Sequence, residues 1–390
     1  MSGAATRVAL VCPYALSVPG GVQGQVLGIA GALADLGAAV LVVAPSDVPA
    51  AELGDEPGQR ASGRAADGPP HAADRSIELV SAGTTVRIPA NGSRAPVALD
   101  PRAARRALAA VRLWRPDILH VHEPFVPLVP LVLTSTRPAP VVGTFHRSGA
   151  STAYRMLGPL ARVVLSRIDD AVAVSEQARA TLAAVVGEDV ARRCSVVANG
   201  VDLERFARAA PWPTTGPTAV FVGRHERRKG LGVLLEAAGS LPAGARLWVL
   251  GSGPETAELK RRHGSDPRVE WCGQVDDDEL ARRVAGADVL VAPSLGGESF
   301  GVVLLEAMAA GTAVLASDIP GYCDATGGAA QLVRPGDPAA LARALAELLA
   351  DPGRRNGLVA RGRERAATCS FTQVAGQYLE RYETIRGLAR

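Results

Sequence analysis

Glu298 and Glu306 stand eight residues apart in the run Gly296-Gly297-Glu298-Ser299-Phe300-Gly301-Val302-Val303-Leu304-Leu305-Glu306-Ala307. An apolar stretch ending at Pro293 passes there through a glycine-containing turn into a helical pattern that is expected to start near Phe300. Backbone N–H groups at such a helix start suit an anionic diphosphate. A carboxylate in the turn, Glu298, is free to reach a sugar hydroxyl, and one on the helix, Glu306, a ribose hydroxyl. The plainer reading makes Glu298 a helix cap and Glu306 a solvated helix residue. The surrounding glycines favour the ligand-binding one.

A second constellation is Gly223-Arg224-His225-Glu226-Arg227-Arg228-Lys229-Gly230, between a strand-like run and a helical one. Of 42 basic residues only Lys229 and Lys260 are lysines. A lysine kept where arginine is otherwise used points to a need for a compact ammonium. The alternative is a solvated basic turn. Gly20-Gly21 follow the first strand, where a backbone without Cβ atoms can approach a phosphate. His146 ends another strand, as a catalytic-site group or a structural hydrogen-bonding residue. His120 and His122 share one strand face, but no third ligand accompanies them, so no metal is expected.

These residues need elements to hold them. Strand-like runs at 8–11, 39–43, 118–121, 141–145 and 171–174 alternate with helical patterns, and a second series at 219–222, 247–250, 288–291 and 313–316 does the same. Such alternation predicts an α/β chain with parallel, doubly wound sheets. A length of 390 residues accommodates two domains. They are expected at 1–205 and 206–367, with a C-terminal helix (368–390) that crosses back to the first domain. Segment 46–75 is rich in Ala, Gly, Pro and Asp without periodicity, and is expected to be a flexible surface loop.

Composition narrows the function. A net charge of +3 is too small for nucleic-acid binding through phosphate neutralisation. Five scattered cysteines without a CxxC pair indicate neither a disulfide framework nor a zinc site, which fits a cytosolic compartment. No apolar run is long enough to span a membrane, and the short N-terminal one reads as a buried first strand rather than a signal peptide.

Taken together, the Glu-x7-Glu element, the early Gly-Gly loop and the Gly-Arg…Lys-Gly element resemble those of the large retaining GT-B glycosyltransferase family (family 4 type). The segments Val11-Cys12-Pro13-Tyr14, Val18-Pro19-Gly20-Gly21-Val22-Gln23, Asn91-Gly92-Ser93, His120-Val121-His122-Glu123-Pro124, Gly143-Thr144-Phe145-His146 and Leu295 to Gly301 are similar to actinobacterial phosphatidylinositol mannosyltransferases. The resemblance implies a GT-B fold, two Rossmann-like domains facing a central cleft. It implies that Arg224 and Lys229 clamp a donor diphosphate, with no metal and no other cofactor required. Val275 would lie beside the nucleobase, Ser299, Phe300 and Gly301 would join Glu298 and Glu306 around the donor, and His146 would lie next to the transferred sugar. GDP-mannose is the favoured donor and phosphatidylinositol the favoured acceptor, held by Tyr14, Gln23, Asn91 and Ser93. Ser17 and Ser151 depart from the pattern, standing where an acid and a lysine are expected; Arg147 is the substitute for the latter.

The helical stretch from Pro101 to Trp114 carries Arg102, Arg105, Arg106 and Arg112 on one broad side, with Leu108, Val111 and Trp114 apolar. It reads either as a docking helix for an anionic membrane surface or as a helix packed on the sheet with its arginines in solvent. The expected location is the inner face of the cell membrane, as a peripheral protein. Three alternatives stay open: another nucleotide sugar, a soluble sugar, inositol phosphate or other glycolipid as acceptor, and a non-catalytic nucleotide-sugar or lipid-binding protein. A dehydrogenase does not fit, because no G-x-G-x-x-G follows the first strand.

Overall fold

The computed structural model describes residues 5–18, 20–46, 77–90, 93–149, 158–242 and 244–388. The chain divides into two units, Met1–Gly200 with Phe371–Arg390, and Val201–Ser370. Segment 47–75, Asn91, Gly92 and Ser151 lie outside the described residues.

The first unit is built on a parallel seven-stranded sheet in the order β3-β2-β1-β6-β7-β8-β9. Its strands are β1 (Arg7–Val11), β2 (Ala39–Ala44), β3 (Ile77–Ser81), β6 (Ile118–His122), β7 (Val141–Phe145), β8 (Asp170–Ala173) and β9 (Ser195–Val196). An antiparallel hairpin, β4 (Val86–Ala90) and β5 (Ser93–Val97), stands apart from it. The central strands are mostly apolar because both faces of the sheet are covered, with His120, His122 and Thr144 as buried polar exceptions. In β1, Val8 and Leu10 face helix Gly21–Asp35 through Val26, Ile29 and Leu33, and the C-terminal helix Phe371–Leu388 through Val374, Tyr378 and Tyr382. Ala9 and Val11 face the other way, against Ala103, Ala107 and Val111 of helix Pro101–Trp114.

The second unit repeats the plan with six parallel strands in the order β12-β11-β10-β13-β14-β15. They are β10 (Thr218–Val222), β11 (Arg246–Leu250), β12 (Val269–Gly273), β13 (Val289–Ala292), β14 (Ala313–Ser317) and β15 (Gln331–Val333). Its core joins Phe221, Leu247, Val249 and Leu315 to Leu234 and Leu235 and to Leu345 and Leu348 on two helices. In each sheet the chain order reverses once, between β1 and β6 and between β10 and β13. Open α/β sheets bind ligands at the carboxyl ends of the strands at such a reversal. Both constellations singled out by residue type fall there.

Candidate active site

In the second unit, the chain leaves β10 through Arg224 and enters a short 3-10 turn, Arg227–Lys229. Gly230 closes that turn with φ 69°. A Cβ there would run into the carbonyl of Pro293, just beyond β13, so only glycine lets the two loops lie back to back. Leu295 N–H then donates to the carbonyl of Arg228 (2.7 Å), which fixes the basic turn to the glutamate turn.

Five charged side chains meet across this seam. Arg228 donates from Nη1 to Glu298 Oε1 (2.7 Å), and Lys229 Nζ lies 2.9 Å from the same oxygen. Glu226, buried, takes Arg224 Nε at 2.8 Å on one oxygen and Arg228 Nε at 3.1 Å on the other. Ser294 Oγ donates to Glu298 Oε1 (3.4 Å) and is bonded to the Tyr322 hydroxyl (2.7 Å). Three cations against two carboxylates leave one positive charge in excess, and Arg224 is 55 % exposed. A fixed, partly open positive cluster of this kind suits a diphosphate.

Helix Val302–Ala310 begins two residues later than the expected start at Phe300. Gly301 takes the cap position at φ 101°, which a side chain would disfavour, and no side chain caps the helix start. Phe300 is buried and anchors the turn, while Ser299 lies beside it. Glu306 is half-buried on the helix, and burial pushes its carboxyl up to about 7, with Arg205 opposing and Asp277 adding to the shift. Val275 is half-buried between β12 and helix Asp277–Gly286.

In the first unit, Gly20 precedes helix Gly21–Asp35 in an extended conformation, and no side chain caps that helix start either. Gln23 is buried and its Nε2 donates to the carbonyls of Val18 (3.0 Å) and Ala15 (3.3 Å), so its amide nitrogen shapes the loop after β1. Tyr14 bridges Val97 through the backbone, and its hydroxyl is pushed up by burial and by Glu123. Arg147 Nε donates to the carbonyl of Gly149 (3.2 Å). Ser93 opens β5, whereas Asn91 lies outside the described residues.

The histidines divide by role. His120 is fully buried, with Nδ1 against the Tyr382 hydroxyl (2.6 Å) and Nε2 against Thr144 Oγ1 (2.7 Å), so both ring nitrogens are spent inside the core. His122 Nδ1 lies 2.8 Å from His146 Nε2. The backbone N–H of His146 donates to Glu123 Oε1 (2.6 Å). Burial pulls His120 and His146 down to about 3, so both are neutral near pH 7. Among the described residues, no three His, Cys, Asp or Glu side chains are grouped to hold a metal ion.

Helix Pro101–Trp114 packs on the sheet through Ala103, Ala104, Ala107 and Val111, with Arg102 and Arg105 in solvent. Trp114 is turned back, stacked by Arg7 at 4.1 Å and donating to Glu78 (2.8 Å). Its apolar face is therefore occupied by the protein and its arginine face is open. Among the described residues, no helix is long and apolar enough to cross a membrane.

Arg228 and Glu226 are the site residues that residue types alone did not single out. Nothing in Arg227-Arg228-Lys229 marks which cation turns inward, because the choice is made by the 3-10 turn.

Comparison with known proteins identifies the family. Residues 19–205 match the family model described as Glycosyltransferase Family 4, and residues 216–351 match Glycosyl transferases group 1. The chain is 37 % identical to a phosphatidyl-myo-inositol mannosyltransferase of Mycolicibacterium smegmatis, covering 98 % of this chain and 94 % of that one. It is 35 % identical to the Mycobacterium leprae protein of the same name, over 97 % of each. Among solved structures, sucrose-phosphate synthase from Thermosynechococcus elongatus superposes with a TM-score of 0.77 at 24 % identity, covering 98 % of this chain and 100 % of that one, a likeness of GT-B fold. The chain belongs to the family 4, group 1 glycosyltransferases of GT-B fold, in which it is similar over nearly its whole length to the phosphatidyl-myo-inositol mannosyltransferases.

Proposed function

We propose that this glycosyltransferase is a retaining mannosyltransferase, moving mannose from GDP-mannose to phosphatidyl-myo-inositol at the inner face of the cell membrane. The observation that carries the reading is the convergence of Arg228 and Lys229 on Glu298, with Arg224 beside them. A fixed positive cluster supports this reading, because it could stabilise a departing diphosphate without a metal. The likeness to named mannosyltransferases supports the sugar and the acceptor.

In this reading Arg224 and Lys229 stabilise the leaving diphosphate as the bond to the sugar lengthens. Glu298 accepts hydrogen bonds from the sugar hydroxyls and so orients the ring. Glu306 does the same for the ribose, and the uncapped N–H groups after Gly301 face the phosphates. The acceptor hydroxyl attacks on the face the diphosphate leaves, which retains the anomeric configuration. Tyr14, Arg147, Asn91 and Ser93 belong to the acceptor side, and the open arginines of helix Pro101–Trp114 dock on anionic lipid.

The test is transfer of label from GDP-mannose to phosphatidylinositol vesicles, with UDP-glucose as parallel donor and free inositol phosphate as parallel acceptor. Labelled lipid from GDP-mannose alone is the expected result. Labelled soluble product, or label from UDP-glucose, would replace the acceptor or the donor. Binding of nucleotide without any transfer would reduce the protein to a binding module.

A further inference from the structure

His122 ends β6, and His146 follows the neighbouring strand β7. Their rings lie nearly parallel with centroids 5.1 Å apart, joined by the 2.8 Å hydrogen bond between His122 Nδ1 and His146 Nε2. Burial holds both rings neutral. A neutral imidazole carries a single N–H, so one ring donates in this bond and the other accepts. The choice decides what each ring presents at its remaining nitrogen.

The two arrangements are unequal. If His146 donates from Nε2, then His122 accepts at Nδ1 and carries its proton on Nε2. That nitrogen is buried without a partner, so this arrangement orphans an N–H inside the protein. If His122 donates from Nδ1, its Nε2 is a bare lone pair, and His146 keeps its proton on Nδ1. Orphaned buried N–H groups are the rarer kind of unsatisfied group. His120 stacks on His122 with centroids 4.5 Å apart, yet it offers no rescue, because both of its nitrogens are committed to Tyr382 and Thr144. His146 retains 8 % exposure, and its Nδ1 is not among the buried atoms that lack a partner.

We infer that His122 is a positioning residue that holds His146 in the Nδ1–H tautomer, so that His146 offers a ligand a hydrogen-bond donor rather than a base. The ligand group it suits is an oxygen with free lone pairs, such as a hydroxyl of the transferred sugar. This last step rests on the reading of His146 as a neighbour of that sugar, whereas the tautomer is a property of the free protein.

The experiment is nitrogen NMR of the full chain labelled with 15N-histidine, with His146 assigned by its loss in His146→Gln. The expected pattern is a protonated Nδ1 and a bare, hydrogen-bonded Nε2 for His146. In His122→Leu the pattern shifts toward the Nε2–H tautomer, and in His122→Asn, whose amide still donates from the same place, it returns. Turnover follows, with kcat about tenfold lower in His122→Leu, the scale of one hydrogen bond, and near wild type in His122→Asn. A wild-type His146 protonated on Nε2 overturns the proposal. So does a His146 pattern unmoved in folded His122→Leu, and if that variant does not fold, the wild-type pattern and His122→Asn decide. A shifted tautomer with unchanged kcat removes the sugar-facing role. A correct tautomer in a protein that transfers no sugar instead sinks the proposed function.

Discussion

Lys229 Nζ lies 2.9 Å from Glu298 Oε1, and Arg228 Nη1 reaches the same oxygen at 2.7 Å, so one carboxylate oxygen holds two cations. Glu298 thus fixes the ammonium in place, and in the proposed reading it competes with the donor diphosphate for it. Lys229→Ala is expected to lower kcat/KM by about 100-fold or more, the usual cost of one group aimed at developing charge. Glu298→Gln should split the two effects, with GDP binding by calorimetry as tight or tighter and kcat sharply reduced. Weaker GDP binding in Glu298→Gln would mean that the carboxylate supports the nucleotide rather than the sugar.

Gly230 is the hinge of the seam between the basic turn and Pro293. Gly230→Ala is expected to cost about 1–2 kcal/mol from the left-handed backbone alone, and more from the collision with the Pro293 carbonyl. Gly376 lies inside the C-terminal helix with open space around its Cα, so Gly376→Ala should gain about 0.5–1 kcal/mol. Urea unfolding of both variants gives the comparison, and equal effects would show that the site at Gly230 has room to relax.

Glu306 carries a carboxyl raised from 4.5 to about 7 by burial. The folded protein therefore keeps a proton that the unfolded chain has released, and stability falls as pH rises through that window. The contribution is fully present below the unfolded value and is lost by the time pH passes the folded one. Glu306→Gln cannot ionise, so its melting temperature relative to wild type should climb between about pH 4.5 and pH 7. A difference that stays flat or declines over this range would place the raised carboxyl elsewhere.

Arg102 and Arg105 stand in solvent on the open face of helix Pro101–Trp114, while Arg106 donates from Nη2 to the carbonyl of Ala82 (3.5 Å). Replacing Arg102 and Arg105 with Ser should weaken binding to anionic vesicles by about 1 kcal/mol for each charge removed, with the loss fading as salt screens the surface. The same change at Arg106 also loosens the Ala82 loop, so the double variant is the cleaner probe. Unchanged vesicle sedimentation would remove this helix from the membrane-docking surface.

Much of the architecture was legible from local pattern. Strand-like runs such as 8–11, 141–145 and 219–222 fall on β1, β7 and β10, because a strand covered on both faces is apolar at most positions. The strand order of the second sheet, which local pattern does not give, places its reversal between β10 and β13 and so brings Gly223–Lys229 and Ser294–Glu298 to neighbouring strand ends. The β4–β5 hairpin was not legible. Pro89 and Pro96 sit within its strands and hide them, and such prolines are tolerated where no central ladder hydrogen bond is needed.

What the sequence by itself determined is the set of groups available and the secondary elements that carry them: the two glutamates, the basic turn, the strand-end histidines and the arginine-faced helix. Periodicity records which face of an element is buried, since that depends on neighbours a few residues away. Only the tertiary structure decided which groups meet. Arg228 rather than Arg227 reaches Glu298 across a separation of 70 residues. His122 finds His146 on the adjacent strand, and Tyr382 crosses 262 residues to bond His120. Such pairings are set by how sheets order their strands and where the chain returns, and no local repeat in the sequence encodes either.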